Sequence, residues 1–316
     1  MANELFAGSQ VIVYASREAS YGTARRLNGA DAMFTLSETF TPTEEREVRP
    51  DRSGFADHMD RYVGRKSASF DITRLILPSG SATTEPDDDL LWQNAFGRLS
   101  INATSVEYIL ATAHDWALTL RRAVRTGGGA GAADMQEHIR GAIVNNVEIS
   151  WGDQGQNGLA TVKFAGVGKD WGWTGNTSVG SGYLNLSSAA TTFRTSSARQ
   201  LSVNSLFKVK TSTGGGSGIL IDTVNYTTTV VSFSEALGTT LSSGRVIVPY
   251  NPTATTAGQP LHARIGFLSL DGSATQIQHL GGRVTIDDHR GLLNEEVGFD
   301  SASRVIRENR RDVTGT

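Results

Sequence analysis

The 316-residue sequence predicts a mainly β protein with one helix packed against a sheet. Several segments alternate apolar and polar residues with a period of two, which buries one face of a strand and leaves the other in water. The composition, with 35 glycines and seven prolines, is typical of a chain rich in strands and turns. Only one segment repeats its apolar residues at helical spacing.

The predicted strands lie mainly in the first half of the chain. A short apolar run opens at Val11, and alternating segments follow at 67–73, 116–121, 146–151 and 160–164. The glycine-rich segment 152–158 separates the last two, and this spacing predicts an antiparallel hairpin.

The helix is predicted over residues 88–98. Trp92, Phe96 and Leu99 recur at helical spacing, and Gly97 limits the length of the helix. A proline and three aspartates precede this stretch, and both residue types favour the first turn of a helix. The predicted helix cap consists of Asp87, Asp88 and Asp89.

A long charged stretch between Phe40 and Tyr62 is predicted to be a loop, since it joins two strand-like runs. Connections of this length are usually functional or mobile. The simpler interpretation is a solvated loop, and the sharper one is an arm that docks on a neighbouring subunit. The candidate contact residues are Glu44, Glu45, Arg46, Glu47, Arg49, Asp51, Arg52, Asp57 and Arg61.

Composition divides the chain into three parts, 1–173, 174–260 and 261–316. In the middle part 30 of 87 residues are Ser or Thr and seven are charged, which predicts a separate inserted β-barrel or sandwich. A weak repeat relates the first part to the last. In both, a strand (34–36 or 284–286) precedes an acidic pair, and the second acidic pair is Glu295 and Glu296.

The sequence contains little that predicts catalysis. The absence of cysteine excludes disulfides, Cys-ligated zinc, iron–sulfur clusters and thiol nucleophiles. Neither glycine-rich segment, 127–131 or 214–218, continues into a phosphate-binding motif. We therefore predict no cofactor, no metal site, no catalytic residue and no enzyme activity. A net charge of -3 does not favour a protein that grips nucleic acid.

No segment predicts membrane insertion or export. The first residues have neither a basic region nor an apolar core, and no apolar stretch approaches the ~18 residues of a membrane helix. We expect a soluble protein made in the cytosol.

The order of these features resembles the tail tube (major tail) proteins of long-tailed siphophages. The resemblance rests on the segment 18–23, the charged stretch before 64–70, the helix after Pro86, and the hairpin 146–166. It covers about residues 1–172 well and 261–316 in part. It implies a β-sandwich or barrel with one flanking helix, and residues 174–260 would be an outward-facing insertion.

The resemblance also implies a function. Family members form rings of six tube-fold units whose sheets join, and the rings stack into the hollow viral tail through which double-stranded DNA is ejected. The 44–61 stretch would bridge to the adjacent ring or subunit. The implied partners are copies of this chain, the tape measure protein and DNA in the lumen, and the tail terminator and distal tail proteins at the ends. Assembly would occur in the host cytoplasm.

The repeat leaves the number of chains per ring open. If 261–316 begins a second tube-fold copy, three chains would form a pseudo-hexameric ring, which we favour. If it completes a single fold, six chains are needed. Two other classes stay open: another virion component (tail terminator, baseplate hub or decoration protein), and a carbohydrate-binding β protein that uses Trp171 and Trp173.

Overall fold

In the computed structural model, the described residues are 11–48, 61–79, 81, 83–111, 116–124, 135–152, 158–178, 189–195, 198–209, 218–233, 244–250, 252, 281–292, 305–307 and 312–315. All structural statements refer to these residues. Among them, no helix is long and apolar enough to cross a membrane.

The described residues confirm a mainly β fold with one α-helix, α1 (Asp89–Phe96). The strands before the predicted insertion are β1 (Val11–Arg17), β2 (Ala32–Met33), β3 (Ser37–Val48), β4 (Arg61–Leu75), β5 (Gly97–Ile101), β6 (Val106–Leu110), β7 (Leu118–Val124), β8 (Met135–Gly152) and β9 (Thr161–Gly168). The others are β10 (Asp170–Gly175), β11 (Thr177–Ser178), β12 (Thr192–Arg194), β13 (Leu206–Val209), β14 (Ile219–Leu220), β15 (Thr223–Asn225), β16 (Val230–Ser232), β17 (Val246–Pro249), β18 (Gly281–Asp287), β19 (Arg290–Leu292), β20 (Val305–Arg307) and β21 (Asp312–Gly315).

The long strand β8 belongs to two layers of a β-sandwich. The first half of β8 pairs with β7 and β10. These strands form the first layer together with β1, which pairs with β7, and β2, which pairs with β1. The second half of β8 pairs with β9 and β18, and the second layer has the order β21-β18-β8-β9-β4-β3. The predicted hairpin of 146–151 with 160–164 is therefore confirmed.

The strand changes partners at Gly141. This residue has φ +60°, and a Cβ there would lie 2.6 Å from the Cβ of Lys169. Only glycine fits this conformation and this close approach without strain. Because β8 continues through this change of partners, both of its halves contribute to one apolar core.

The core lies between the two layers and extends to the helix. Val13, Leu120 and Ile139 of the first layer meet Phe70 and Phe164 of the second, and all five are at most 2% exposed. The alternating patterns therefore bury the apolar faces that they predicted, but the polar face predicted for 116–121 is wrong, because the insertion covers it and Thr119 and Arg121 are fully buried.

Helix α1 is shorter than predicted. It ends at Gly97, whose φ of 99° gives the left-handed C-terminal cap. Leu99, which the pattern placed on the helix, lies in β5. Asp88 holds the predicted cap position and Asp89 lies in the first turn, but Asp88 makes no side-chain capping hydrogen bond. The helix packs through Trp92, whose ring stacks on Tyr108 at a centroid distance of 5.7 Å.

The predicted strand over 34–36 is also wrong, because these residues connect β2 and β3. Phe34 and Leu36 are both more than 40% exposed, so no buried face supports a strand there. The first member of the predicted repeat therefore lacks its strand, whereas its counterpart 284–286 lies within β18.

Residues of the predicted insertion form two small sheets, β11-β17-β13-β14 and β12-β16-β15. Phe193, Phe207 and Phe233 meet at centroid distances of 5.5–5.9 Å in a core of their own. Hydrogen bonds from Tyr14, Arg121 and Gln136 tie the insertion to the outer face of the first layer, and Tyr14 Oη donates to Pro252 O over 2.7 Å. Arg121 Nη2 donates to Asn204 O over 2.8 Å, and Gln136 Nε2 donates to Tyr250 O over 2.7 Å.

The C-terminal strands are built into the first unit. β18 pairs with β8 along seven residues, and the turn after it carries the buried ion pair Arg290–Asp288, with Nε to Oδ2 at 2.6 Å. The Arg290 guanidinium also donates to the carbonyl oxygens of Asn94 in α1 and Val144 in β8. One side chain thus joins the C-terminal segment, the helix and the central strand.

We predict that Asp288→Asn destabilises the protein by about 3–5 kcal/mol, because it leaves the buried Arg290 charge without its counter-ion. Chemical denaturation followed by tryptophan fluorescence measures the effect. The matched control is Glu148→Gln, which removes the partner of the half-exposed Arg283 and should cost about 1 kcal/mol or less. Equal losses in the two variants would contradict the buried anchor.

Candidate assembly surface

The second layer turns a polar face away from the core. Strand alternation places Phe70 and Ile72 inside, so Ser69, Asp71 and Thr73 point outward. The same alternation in the neighbouring strands continues this face across the layer. The polar face includes Thr39, Thr41, Ser69, Asp71, Thr73, Glu148, Lys163, Arg283 and Thr285, and the same register adds Asn146, Ala165, Val167 and Asp287.

The charges on the polar face neutralise one another. Lys163 Nζ lies 3.1 Å from Asp71 Oδ1, and Arg283 Nε lies 3.2 Å from Glu148 Oε1. Asp287 lies beside His289, most of the other members carry hydroxyl groups, and Ala165 and Val167 are small apolar residues among them. The face is therefore hydrophilic without being strongly basic, and it offers no cluster of unpaired cations to a polyanion.

The second layer ends in two strands that have one partner each. Among the described residues, β3 pairs with β4 alone and β21 pairs with β18 alone. Such edges present backbone donors and acceptors that another strand can satisfy. β21 is exposed along its whole length, and its Val313 side chain is 58% exposed.

The described ends of the predicted charged loop form a two-stranded ribbon. Pairing of β3 with β4 continues outward as far as Val48 and Arg61, beyond Ala68, the last residue of β4 that pairs with β9. We call this ribbon, residues 43–48 and 61–67, the arm. Glu44, Glu45, Arg46, Glu47 and Arg61 lie on its strands, whereas Arg49, Asp51, Arg52 and Asp57 lie outside the described residues.

The aspartates before the helix pair with a buried arginine. Arg74 Nη2 donates to Asp87 Oδ1 over 2.6 Å, and Arg74 Nε lies 3.3 Å from Asp88 Oδ2. Burial raises the pKa of Asp88 to about 6, and the nearby Arg74 offsets part of that rise. Asp89 instead accepts hydrogen bonds from Gln93 and Tyr108. These carboxylates therefore hold the helix start on β4.

A histidine links the turn after β18 to the edge strand β21. His289 Nε2 lies 2.9 Å from Asp312 Oδ2, and its Nδ1 lies 3.5 Å from Asp287 Oδ1. The hydrogen bond with Asp312 raises the pKa of His289 above its ordinary value of 6.5. The neighbouring Asp288 is engaged by Arg290. When protonated, the ring therefore links Asp287 at the end of β18 to Asp312 of the edge strand β21.

The buried Glu18, outside this surface, has a structural role. Glu18 accepts hydrogen bonds from Gly22 N, Thr119 Oγ1 and Gly141 N, and burial raises its pKa. It lines neither of the two cavities described here. Within the described ranges, no three His, Asp or Glu residues are grouped as metal ligands would be.

Two tryptophans considered for sugar binding line a cavity of about 320 Å³ at one end of the sandwich. Trp171 packs against the apolar core, and Trp173 is 37% exposed. The walls are formed mainly by apolar groups, including Phe40 and Met135. A sugar site needs several polar groups that fix hydroxyls, so this cavity does not favour carbohydrate recognition.

Sequence reasoning missed the polar residues that fix this surface in place. Arg74, Arg290 and His289 each pair with carboxylates, and Asn94 bridges Trp116 O and Val144 N at 3.0 and 2.7 Å. The Asp-Asp-His run before Arg290 was the available signal, because it concentrates charge at the end of a predicted strand. The predicted acidic pair Glu295 and Glu296 lies outside the described residues.

No protein-family model matches the chain, and no curated protein matches it. Among solved structures, it is similar to a chain of the anti-feeding prophage baseplate at 8% identity and a TM-score of 0.37, covering 55% of this chain and 98% of that one. A chain of the sheath–tube complex of an extracellular contractile injection system in its extended state has 11% identity and a TM-score of 0.34, covering 55% and 93%. The tube-terminating cap of the anti-feeding prophage has 10% identity and a TM-score of 0.34, covering 55% and 94%. At these values the similarity by itself says nothing about activity, ligand or partner.

We predict that β21 is held less firmly as the pH rises. Because the pKa of His289 is raised in the folded chain, its contribution is fully present below pH 6.5 and is lost as the pH rises through the raised pKa. Amide exchange protection factors of β21 across this range measure the effect. His289→Asn is the control, since Asn tolerates the φ of 46° and does not titrate. The same pH dependence in both proteins would contradict the role of His289 in holding β21.

Proposed function

We propose that the protein is a structural virion protein, a tail tube subunit that assembles into stacked rings and conducts double-stranded DNA through the lumen. The observation that carries the proposal is the second layer, which combines a polar outer face with two edge strands that have one partner each. Pairing of β3 in one copy with β21 in the next would join these layers into a closed barrel.

The polar face suits the lumen of such a tube. Its carboxylates are paired with Lys163 and Arg283, and hydroxyl groups occupy most other positions. A surface without unpaired cations releases few counterions from DNA, so it gains little binding free energy. DNA would therefore slide along the lumen without binding to it. The tape measure protein would occupy the same lumen before ejection, and terminator and distal tail proteins would close the ends.

This orientation would place the insertion outside the tube. The insertion contacts the outer face of the first layer through the hydrogen bonds of Arg121 and Gln136, whereas the polar face belongs to the second layer. The two outer faces of a sandwich point in opposite directions. A lumen lined by the second layer therefore leaves the insertion as an outward decoration.

The packing of the C-terminal segment favours one tube fold per chain and six chains per ring. β18 pairs with β8, and Arg290 is bonded to the helix and to β8. A segment built so deeply into the first unit is better explained as its last part than as the start of a second copy. The three-chain ring remains the alternative, and residues 261–280 lie outside the described part of the chain.

We predict that the purified protein forms rings and stacked tubes and has no hydrolytic activity. Val313→Lys should abolish rings while the monomer stays folded, because a charge on an edge strand opposes pairing with another chain. Tyr226→Lys is the control, since Tyr226 is 57% exposed on the insertion. Negative-stain microscopy and sedimentation measure assembly. A protein that stays monomeric at high concentration and binds glycans would contradict the proposal.

A further inference from the structure

The insertion rests on the outer face of the first layer through a contact that we call the joint. The apolar part of the joint is one buried cluster, in which Tyr14 and Ala123 of the layer pack with Leu206 of the insertion. The polar part consists of the hydrogen bonds that Tyr14, Arg121 and Gln136 donate to carbonyl oxygens of the insertion. The joint therefore combines apolar packing with a row of buried polar groups.

A buried arginine in the joint is solvated only by neutral oxygens. The Arg121 guanidinium is fully buried, and it donates to Asn204 O over 2.8 Å, to Gln136 Oε1 over 3.3 Å and to Arg25 O over 3.4 Å. Among the described residues, no carboxylate forms an ion pair with it. A charge buried in this way is costly unless it is paired.

A histidine lies directly beside this arginine. His138 of β8 pairs with Arg121 of β7, its ring is buried, and its Nδ1 lies 3.5 Å from Ser205 Oγ of the insertion. A Cβ on Gly172 of β10 would lie 2.5 Å from the ring Cε1 and 2.6 Å from Ser202 Oγ. The insertion and β10 therefore enclose the imidazole completely.

The charged groups around His138 favour its neutral form. Arg121 faces it from β7 and Arg140 from β8, where Asp170 of β10 pairs with Arg140. Glu18 attracts both arginines from the end of β1. Burial, together with the charges of Arg121 and Arg140, lowers the pKa of His138 well below 6.5.

The described residues of the insertion bring no carboxylate to balance these cations. In the sequence 174–260, five residues are basic and two are acidic. Of the acidic residues, Asp222 is exposed and Glu235 lies outside the described residues. Strand alternation places the buried Lys208 on the face of β13 that carries Leu206. A positively charged insertion is thus docked on a cationic part of the layer.

We propose that the insertion is a hinged domain that protonation of His138 releases from the first layer. While His138 is neutral, the apolar cluster and the hydrogen bonds hold the joint closed. A proton on the ring places a second charge beside Arg121, and water solvates both charges once the joint opens. Asn176 alone separates β10 of the layer from β11 of the insertion, so the chain can turn there. The inference goes beyond the proposed function and does not depend on it, because the joint lies within one chain.

The pH range of the release follows from proton linkage. In the open form His138 is solvated, with its ordinary pKa near 6.5, whereas in the closed form its pKa is well below that value. The open form therefore binds one more proton below pH 6.5. The ratio of open to closed molecules rises by up to about tenfold for each pH unit of acidification, and by about 30-fold from pH 7.5 to pH 5.

Thiol labelling tests the release, because the chain contains no cysteine of its own. Ala123→Cys places a thiol in the closed joint, where Ala123 is fully buried, and the thiol reacts only when the joint opens. Ala103→Cys is the matched control at an exposed turn position, and its rate corrects for the reactivity of the thiol at each pH. We expect the ratio of the two labelling rates to rise about 30-fold from pH 7.5 to pH 5. An unchanged ratio would overturn the proposal.

Three further variants separate release from general acid unfolding. His138→Gln cannot be protonated, so it should abolish the rise in the labelling of Ala123→Cys. His289→Asn removes the other described histidine and should retain the rise. Ala142→Cys, buried in the sandwich core, should stay unreactive at pH 5. An equal rise with His138→Gln, loss of the rise with His289→Asn, or equal exposure of Ala142→Cys would each overturn the assignment to His138.

Discussion

The two incompletely paired edges of the second layer are the constraint on which the rest of the account depends. Each backbone N–H and C=O group must find a partner in water or in protein, and edge strands recruit other chains unless they are covered. Here β3 and β21 end the layer on opposite sides, and β21 is exposed throughout. Pairing of β3 in one copy with β21 in the next would satisfy the backbone groups of both edge strands. Repetition of this contact closes a ring when the rotation between neighbouring copies permits it.

The polar anchors serve this arrangement by fixing the edges. Arg290 ties the end of β18 to the helix and to β8, and His289 ties β21 to the same turn. Arg74 holds the helix start on β4, whose far end forms the arm. The edge strand β21 and the strand that leads to the arm are therefore both anchored to one core.

Local patterns predicted those parts of the fold whose strands have one buried face. The segments 67–73, 146–151 and 160–164 alternate because each faces the core on one side, and all three lie in strands. The arm was predicted as a loop because charged residues occupy both of its faces, so no alternation marks it. A ribbon with no third strand is stabilised by the pairing of its two strands and by contacts with other molecules. Neither produces a periodic pattern of apolar residues in the sequence.

The site residues were harder to predict because their partners are distant in sequence. Asp87, Asp88 and Asp89 at the helix start satisfy the local capping rule, yet Arg74 of β4 pairs with Asp87 and Asp88, and the sequence near the helix does not show this. Arg290 bonds to Asn94, 196 positions earlier. Composition singled out residues 174–260 as a separate part, and the described strands of this part surround a core of their own.

The pairing of unlike edges can be measured directly by amide hydrogen exchange before and after assembly. β9 is interior to the layer and provides the reference for full protection. In the assembled protein, β3 and β21 should both reach the protection of β9, whereas in the monomer they should exchange faster. Rings in which either edge strand still exchanges at the rate of the monomer would contradict the account.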